Sequence, residues 1–175
     1  MAALTSVILE AKRAETIYVV RHGDRLDFEL GEEKWEEMSL LESRRDPPLS
    51  LLGEIMAHET GRAIEADIAK RRCDQTKPSS TQVISSPFLR CIQTSNPIAG
   101  RLSGDVKIKL DNSLFEVVYT DEKLPTSLER ARYFPRIDTS YNSIFTPQIS
   151  EQYPNAGKKE RVRGGFFSSV CINPS

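Results

Sequence analysis

A run of β-branched and aromatic residues that ends at a charged tripeptide is the feature that most constrains the fold of this chain. Residues 16–20 read Thr-Ile-Tyr-Val-Val, which is typical of a strand buried on both faces of an α/β sheet. Arg21, His22 and Gly23 follow directly. Polar side chains at the carboxyl end of such a strand lie where open α/β sheets bind ligands. The sequence therefore predicts a buried strand with a ligand site at its end.

A surface excursion and a long helix are predicted next. Residues 26–48 are charge-dense and end in Asp-Pro-Pro, so we expect an exposed and partly helical segment. Ser50 is a candidate N-cap because a hydroxyl can accept from the first free N–H groups of a helix. A helix of about five turns should follow, since apolar residues recur at multiples of four. These residues are Leu52, Met56, Ile64 and Ile68.

Two more strands and a helix are predicted between residues 82 and 110. Residues 82–85 favour a short strand and residues 106–110 a more exposed one. Between them, Ser86 is the predicted N-cap of a helix over 88–99. Pro97 predicts a kink or an early stop, because proline lacks a backbone N–H and crowds the preceding turn. Alternating strands and helices predict a parallel sheet with covering helices.

Composition limits the classes of protein that need consideration. The 175 residues fit one domain, and 24 basic residues balance 25 acidic ones, so nothing draws the whole chain to nucleic acid or an anionic membrane. Three widely spaced cysteines and two histidines offer neither a disulfide framework nor a zinc-ligand set. No stretch reaches the roughly 20 apolar residues of a membrane span. We expect a soluble cytoplasmic protein in a reducing compartment.

The charged residues after the strands suit phosphoryl transfer to a nitrogen. That reaction requires a neutral imidazole, guanidinium groups that hold the phosphate oxygens, and an acid for the leaving oxygen. His22 can supply the first, and Glu116, which follows the third strand, can supply the last. Arg21, Arg25 and Arg90 can hold the oxygens, and Arg90 lies where the start of a helix favours anions. A lone histidine after a strand is more often structural, but the combination favours catalysis.

Four segments resemble, in order, the motifs of the histidine phosphatases of the phosphoglycerate mutase-like superfamily. They are residues 17–25, 46–53, 83–94 and 114–116. Arg25, Phe115 and the excursion around Trp35 are most similar to the phosphatase domain of the suppressors of T-cell receptor signalling. The resemblance covers about residues 15–155, and it marks 1–14 as an N-terminal tail and 156–175 as a divergent C-terminal tail. It implies a three-layer α/β/α fold with a mostly parallel sheet, without the last strand or strands and helix.

The resemblance also implies a mechanism. His22 would be transiently phosphorylated, Arg21, Arg25 and Arg90 would bind the phosphate, and Glu116 would protonate the leaving group. Neither a metal nor another cofactor is implied. The expected substrate is a phosphomonoester, either a phosphorylated small molecule or a phosphoprotein, and the sequence specifies neither the substrate nor the oligomeric state.

The chain departs from the family pattern in its histidines. The family places a second histidine on a later strand, and here the other histidine is His58, in the predicted long helix between Glu54 and Arg62, where ion pairing or solvation is expected. We therefore expect a truncated fold with an exposed sheet edge beside residues 16–20 and with weak or absent activity. Two alternatives remain open, a phosphate-binding module without turnover and a chain that does not fold stably.

Overall fold

The computed structural model describes residues 16–39, 46–72, 81–114, 124–144 and, for the backbone alone, 169–174. Its strands are β1 (Tyr18–Arg21), β2 (Thr81–Ser85), β3 (Ile108–Leu110) and β4 (Ser169–Pro174). Its helices are α1 (Leu26–Leu30), α2 (Glu32–Met38), α3 (Leu51–Arg72), α4 (Leu89–Arg101) and α5 (Ser127–Ala131). The strands predicted at 82–85 and 106–110 and the partly helical excursion are therefore present.

The four strands form one sheet in the order β1-β4-β2-β3. β2 and β3 are parallel, and β4 is antiparallel to both β1 and β2, so β1, β2 and β3 all point the same way. This confirms the prediction of an α/β fold with a mostly parallel sheet. The expectation of an exposed edge beside β1 is wrong on one side, because β4 pairs with β1 from Tyr18 to Arg21.

β1 is less buried than its composition predicts. Val19 is 67% exposed, whereas Tyr18 and Val20 pack against the core. The strand therefore buries one face, and the prediction of burial on both faces is wrong. The physical reason is that alternate side chains of a strand point to opposite faces, and only the face of β1 that carries Tyr18 and Val20 packs against the core.

The apolar face of α3 is also displaced from its predicted position. Ser50 caps the helix as predicted, because its Oγ accepts from the Gly53 N–H at 3.0 Å. Ile64 and Ile68 are buried, but Leu52 and Met56 are exposed. The residues that bury the first half of α3 are instead the small Gly53, Ala57 and Gly61. Small residues allow close packing there: a Cβ on Gly61 would lie 3.2 Å from the Ile98 Cα of α4.

α4 differs from its prediction at both ends. It begins at Leu89 with Phe88 at the N-cap position, and no side chain of that residue caps it. The expected Ser86 cap is wrong because a carboxylate from a distant segment, Asp46, accepts from the Leu89 N–H at 2.7 Å. The early stop at Pro97 is also wrong, since the helix continues to Arg101. Its packing against α3 offsets the cost of the proline.

The core lies between the sheet and the paired helices α3 and α4. Its fully buried members come from β2, α4 and β3, and they are Val83, Ile92, Ile98, Ala99 and Ile108. This packing fixes the ends of β1 and β2 relative to the first turns of α3 and α4. Within the described ranges, no helix combines the length and the apolar character needed to cross a bilayer.

Candidate functional site

His22 lies immediately after β1 and is half-buried. Its Nδ1 is 2.7 Å from the carbonyl oxygen of Gly23. A carbonyl oxygen can only accept, so Nδ1 carries the proton and donates it. In the neutral ring the lone pair is then on Nε2, which is the form a nitrogen nucleophile requires.

The surroundings of His22 favour that neutral ring. Burial lowers the pKa of His22 below its ordinary value of 6.5, and the hydrogen bond to Gly23 opposes this change. The positive charges of Arg90, Arg21 and Arg25 lower the pKa further. All three arginines singled out in the sequence are thus within electrostatic reach of one imidazole.

Backbone contacts between small residues hold the turn that carries His22. A Cβ on Gly23 would lie 2.9 Å from the Cα of Gly53 and closer still to its carbonyl oxygen. Only a glycine allows this approach between the turn and the first turn of α3. The Gly23 N–H also donates to the Thr94 Oγ1 of α4 at 3.2 Å. Asp24 completes the junction, since its carboxylate accepts from the Ser50 hydroxyl at 2.8 Å.

Arg25 is at the surface side of the site and faces Asp27. Its Nε donates to Asp27 Oδ1 at 2.9 Å and its Nη2 to the other carboxylate oxygen, in a paired arrangement. The guanidinium also lies 4.2 Å from the centre of the Phe28 ring. Before Nε and Nη2 of Arg25 can bind phosphate, their hydrogen bonds to Asp27 must break.

Arg90 is the buried counterpart of Arg25. It occupies the second position of α4, as predicted, and is only 2% exposed. Its guanidinium lies 4.1 Å from the centre of the Phe88 ring. The Thr94 hydroxyl donates to the Arg90 carbonyl at 2.8 Å and accepts from Gly23, so one side chain links Arg90 to the His22 turn.

Two charged residues beside Arg90 were not singled out in the sequence. Asp46 is 6% exposed, and besides accepting from Leu89 it forms an ion pair with the buried Arg130 of α5. Burial raises the pKa of Asp46, against the charges of Arg130 and Arg90. The contact joins residues 84 positions apart. The position of Asp46 directly before two prolines could have drawn attention to it, but nothing in the neighbouring sequence pointed to Arg130.

A second buried carboxylate, Asp111, organises the loop after β3. Its Oδ2 accepts from the Tyr141 hydroxyl at 2.5 Å, and its Oδ1 accepts from the Ser143 hydroxyl at 3.1 Å. Burial raises the pKa of Asp111, but the hydrogen bonds from Tyr141, Ser113 and the Ile144 N–H outweigh it and hold the pKa well below its usual range. The bond to Asp111 also raises the pKa of Tyr141 to about 12. The 141–144 segment is thereby fixed to the carboxyl end of β3.

A groove of about 400 Å³ opens beside this loop. Its walls come from the carboxyl ends of β2 and β3 and from the segments 124–127 and 141–143. The lining residues are Pro87, Leu110, Asn112, Leu124, Pro125, Thr126, Ser127, Tyr141, Asn142 and Ser143. Neighbouring strands are about 4.8 Å apart and β4 lies between β1 and β2, so the groove begins roughly 10 Å along the sheet edge from β1.

The structure brings together four of the five predicted site residues. Arg21, His22 and Arg25 follow one another at the end of β1, and the charge of Arg90 on α4 acts on the same imidazole. Glu116 falls outside the described residues, so its role as the acid stays a prediction. His58 is exposed on α3.

Comparisons with known proteins agree with this arrangement of strands, helices and motifs. The family model of the histidine phosphatase superfamily (branch 1) matches residues 17–159. Among solved structures, the chain is similar to the ecdysone phosphate phosphatase, EPPase, from Bombix mori in complex with tungstate. That similarity has a TM-score of 0.60 and 21% sequence identity over 79% of this chain and 60% of that one. A search of the curated proteins found no match. With 143 consecutive residues matched by the family model, this chain belongs to the histidine phosphatase superfamily (branch 1).

Proposed function

We propose that this chain is a phosphomonoester phosphatase that acts through a phosphohistidine intermediate at His22. The observation that carries the proposal is the hydrogen bond from Nδ1 to the Gly23 carbonyl, which leaves the Nε2 lone pair available. The lowered pKa of His22 keeps that lone pair unprotonated near neutral pH. Arginine charges around a neutral imidazole suit a phosphate dianion.

The reaction has two steps. In the first, Nε2 of His22 attacks phosphorus, the P–N bond forms, and the ester P–O bond breaks. Glu116 gives its proton to the leaving oxygen in this proposal. In the second, water attacks phosphorus and gives a proton to the Glu116 carboxylate, the P–N bond breaks, and inorganic phosphate leaves, so that both the ring and Glu116 return to their starting states. Arg21, Arg25 and Arg90 hold the equatorial oxygens during both steps.

The groove beside β3 is where we place the leaving group, because it adjoins the start of α4 and the strand that leads to Glu116. Within the superfamily, we propose a specific relationship to the phosphatase domain of the suppressors of T-cell receptor signalling. The Bombix mori protein is an ecdysone phosphate phosphatase, so its named substrate is a phosphorylated small molecule, and tungstate is a phosphate-like oxyanion. Small phosphomonoesters are therefore the first substrates to test.

A phosphate-binding module with little turnover is the second candidate. It is favoured by the histidine content of the chain, since His22 is accompanied only by His58, which is exposed on α3. Loss of one member of a cooperating catalytic set costs several orders of magnitude, whereas groups that bind phosphate keep their affinity.

Hydrolysis of an aryl phosphate by the wild type, His22→Ala and His58→Ala separates these functions. A phosphatase should lose at least about a thousandfold of its kcat/KM in His22→Ala and keep it in His58→Ala. Labelled substrate should also leave an acid-labile, alkali-stable phosphate on the wild type and none on His22→Ala. Phosphate binding without turnover in the wild type supports the binding module. Turnover that survives in His22→Ala contradicts the proposed mechanism.

A further inference from the structure

Two arginines converge on the buried Asp46 beside the proposed phosphate site, but they contact it differently. Arg130 forms a hydrogen-bonded ion pair with Oδ2 of Asp46 through its Nη2. The Nη1 of Arg90 is 3.9 Å from Oδ1, beyond hydrogen-bond length. Oδ1 instead accepts from the Leu89 N–H at 2.7 Å. Asp46 is thus committed to Arg130 and to the start of α4.

This difference has an electrostatic consequence for Arg90. A buried carboxylate without a bound cation is costly and attracts the nearest positive charge. If a neutral residue replaced Arg130, the nearest positive charge would be that of Arg90. The Arg90 guanidinium could then rotate into a two-point contact with Asp46. Arg90 would then be drawn away from His22. Of the three arginines, Arg90 lowers the pKa of that imidazole the most.

We infer that Arg130 is a positioning residue. Its ion pair with Asp46 neutralises that carboxylate and so keeps Arg90 oriented toward the phosphate. The inference rests on the proposed function, because it assumes that Arg90 binds phosphate. Arg130 is held for this task by α5, which begins at a capping box between Thr126 and Glu129. The short helix of an otherwise irregular segment thereby becomes part of the site.

The test measures inorganic phosphate binding by calorimetry in the full chain. Arg130→Gln should weaken binding by about tenfold or more, which is the usual loss when one charge-assisted contact is withdrawn. Asp46→Asn should bind phosphate about as tightly as the wild type, because the competing charge is gone. The double variant Asp46→Asn/Arg130→Gln should recover most of the affinity lost in Arg130→Gln.

Arg132→Gln is the matched control, since it removes the same charge from an exposed position two residues away. It should leave phosphate affinity unchanged, and circular dichroism should show that each variant is folded. If Arg130→Gln does not fold, the affinity of Asp46→Asn still decides, because a purely structural role for the pair predicts weakened binding there. Equal losses in both single variants, or no recovery in the double variant, overturn the inference. A wild type that binds no phosphate overturns the proposed function and the inference together.

Discussion

The two halves of the candidate site are held by different forces. The half on β1 carries His22 on a turn at the outer strand of the sheet, and close backbone contact between Gly23 and Gly53 fixes it. The half on α4 carries Arg90 in the interior, beside the Asp46 carboxylate and over the Phe88 ring. His22, the proposed nucleophile, is thus positioned by steric fit, and the buried Arg90 by electrostatics. Changes of size should damage the first half, and changes of charge the second.

The largest effect is expected when the steric fit of the β1 half is broken. In Gly23→Ala the new methyl group would meet the backbone of Gly53, which has no flexible side chain to move aside. We expect a loss of about 3 kcal/mol in the free energy of unfolding, as for other overpacked interiors. Urea denaturation followed by circular dichroism measures it.

Gly100→Ala is the control for that substitution. This glycine is in α4, and its new Cβ would meet the Arg136 side chain at an ordinary 3.5 Å. Alanine favours a helix over glycine, so the variant should be unchanged or more stable by up to about 1 kcal/mol. If Gly23→Ala is as stable as Gly100→Ala, the backbone contact between Gly23 and Gly53 does not hold the turn in place.

The same division explains what the sequence could and could not predict. The end of the first strand just before His22 and the cap at Ser50 follow from neighbouring residues, and the sequence predicts both. The pairing of Asp46 with Arg130 depends on the tertiary fold, so no pattern near either residue indicates it. The wrong Ser86 cap has the same origin, because Asp46 arrives from outside the local sequence and takes the N–H group of Leu89.

Errors in burial have a related cause. The composition of residues 16–20 correctly predicts a strand, but the exposure of Val19 depends on which face of β1 packs against the core. Likewise, the spacing of Leu52 and Met56 predicts a helix, whereas the identity of its buried face depends on contacts that Gly53 makes with a distant turn. Local periodicity identifies elements, and the tertiary fold decides which faces they bury.

A smaller loss of stability is expected when the aromatic rings beside the two arginines are replaced. Each half of the site has one such ring, so the two substitutions compare the halves directly. Phe88 lies under Arg90 and is 1% exposed, whereas Phe28 lies under Arg25 and is 63% exposed. Phe88→Leu should cost about 2 kcal/mol, because it removes buried packing and a desolvated contact with a cation. Phe28→Leu should cost about 0.5 kcal/mol. Thermal unfolding of the two variants compares them, and equal losses would contradict the assignment of one half to the interior.

The smallest effect concerns the charges that both halves direct at His22. Burial, more than any other cause, lowers its pKa below the ordinary 6.5, and the proposed mechanism uses the neutral ring as the nucleophile. The acid limb of kcat/KM should therefore lie below pH 6.5. Protonation of His22 also favours the unfolded chain, so its contribution to stability is present above about pH 6.5 and is lost as the pH falls toward the folded-state pKa.

Removing any one of the three arginine charges should raise the pKa of His22 and move that acid limb to higher pH. The change should be largest for Arg90→Gln, smaller for Arg21→Gln and smallest for Arg25→Gln, which follows the order of their electrostatic effects. Titration of the His22 ring protons by NMR measures the pKa without requiring turnover, and His58→Gln identifies the other histidine signal. An order in which Arg25→Gln has the largest effect would show that the half on β1, and not the half on α4, sets the charge state of His22.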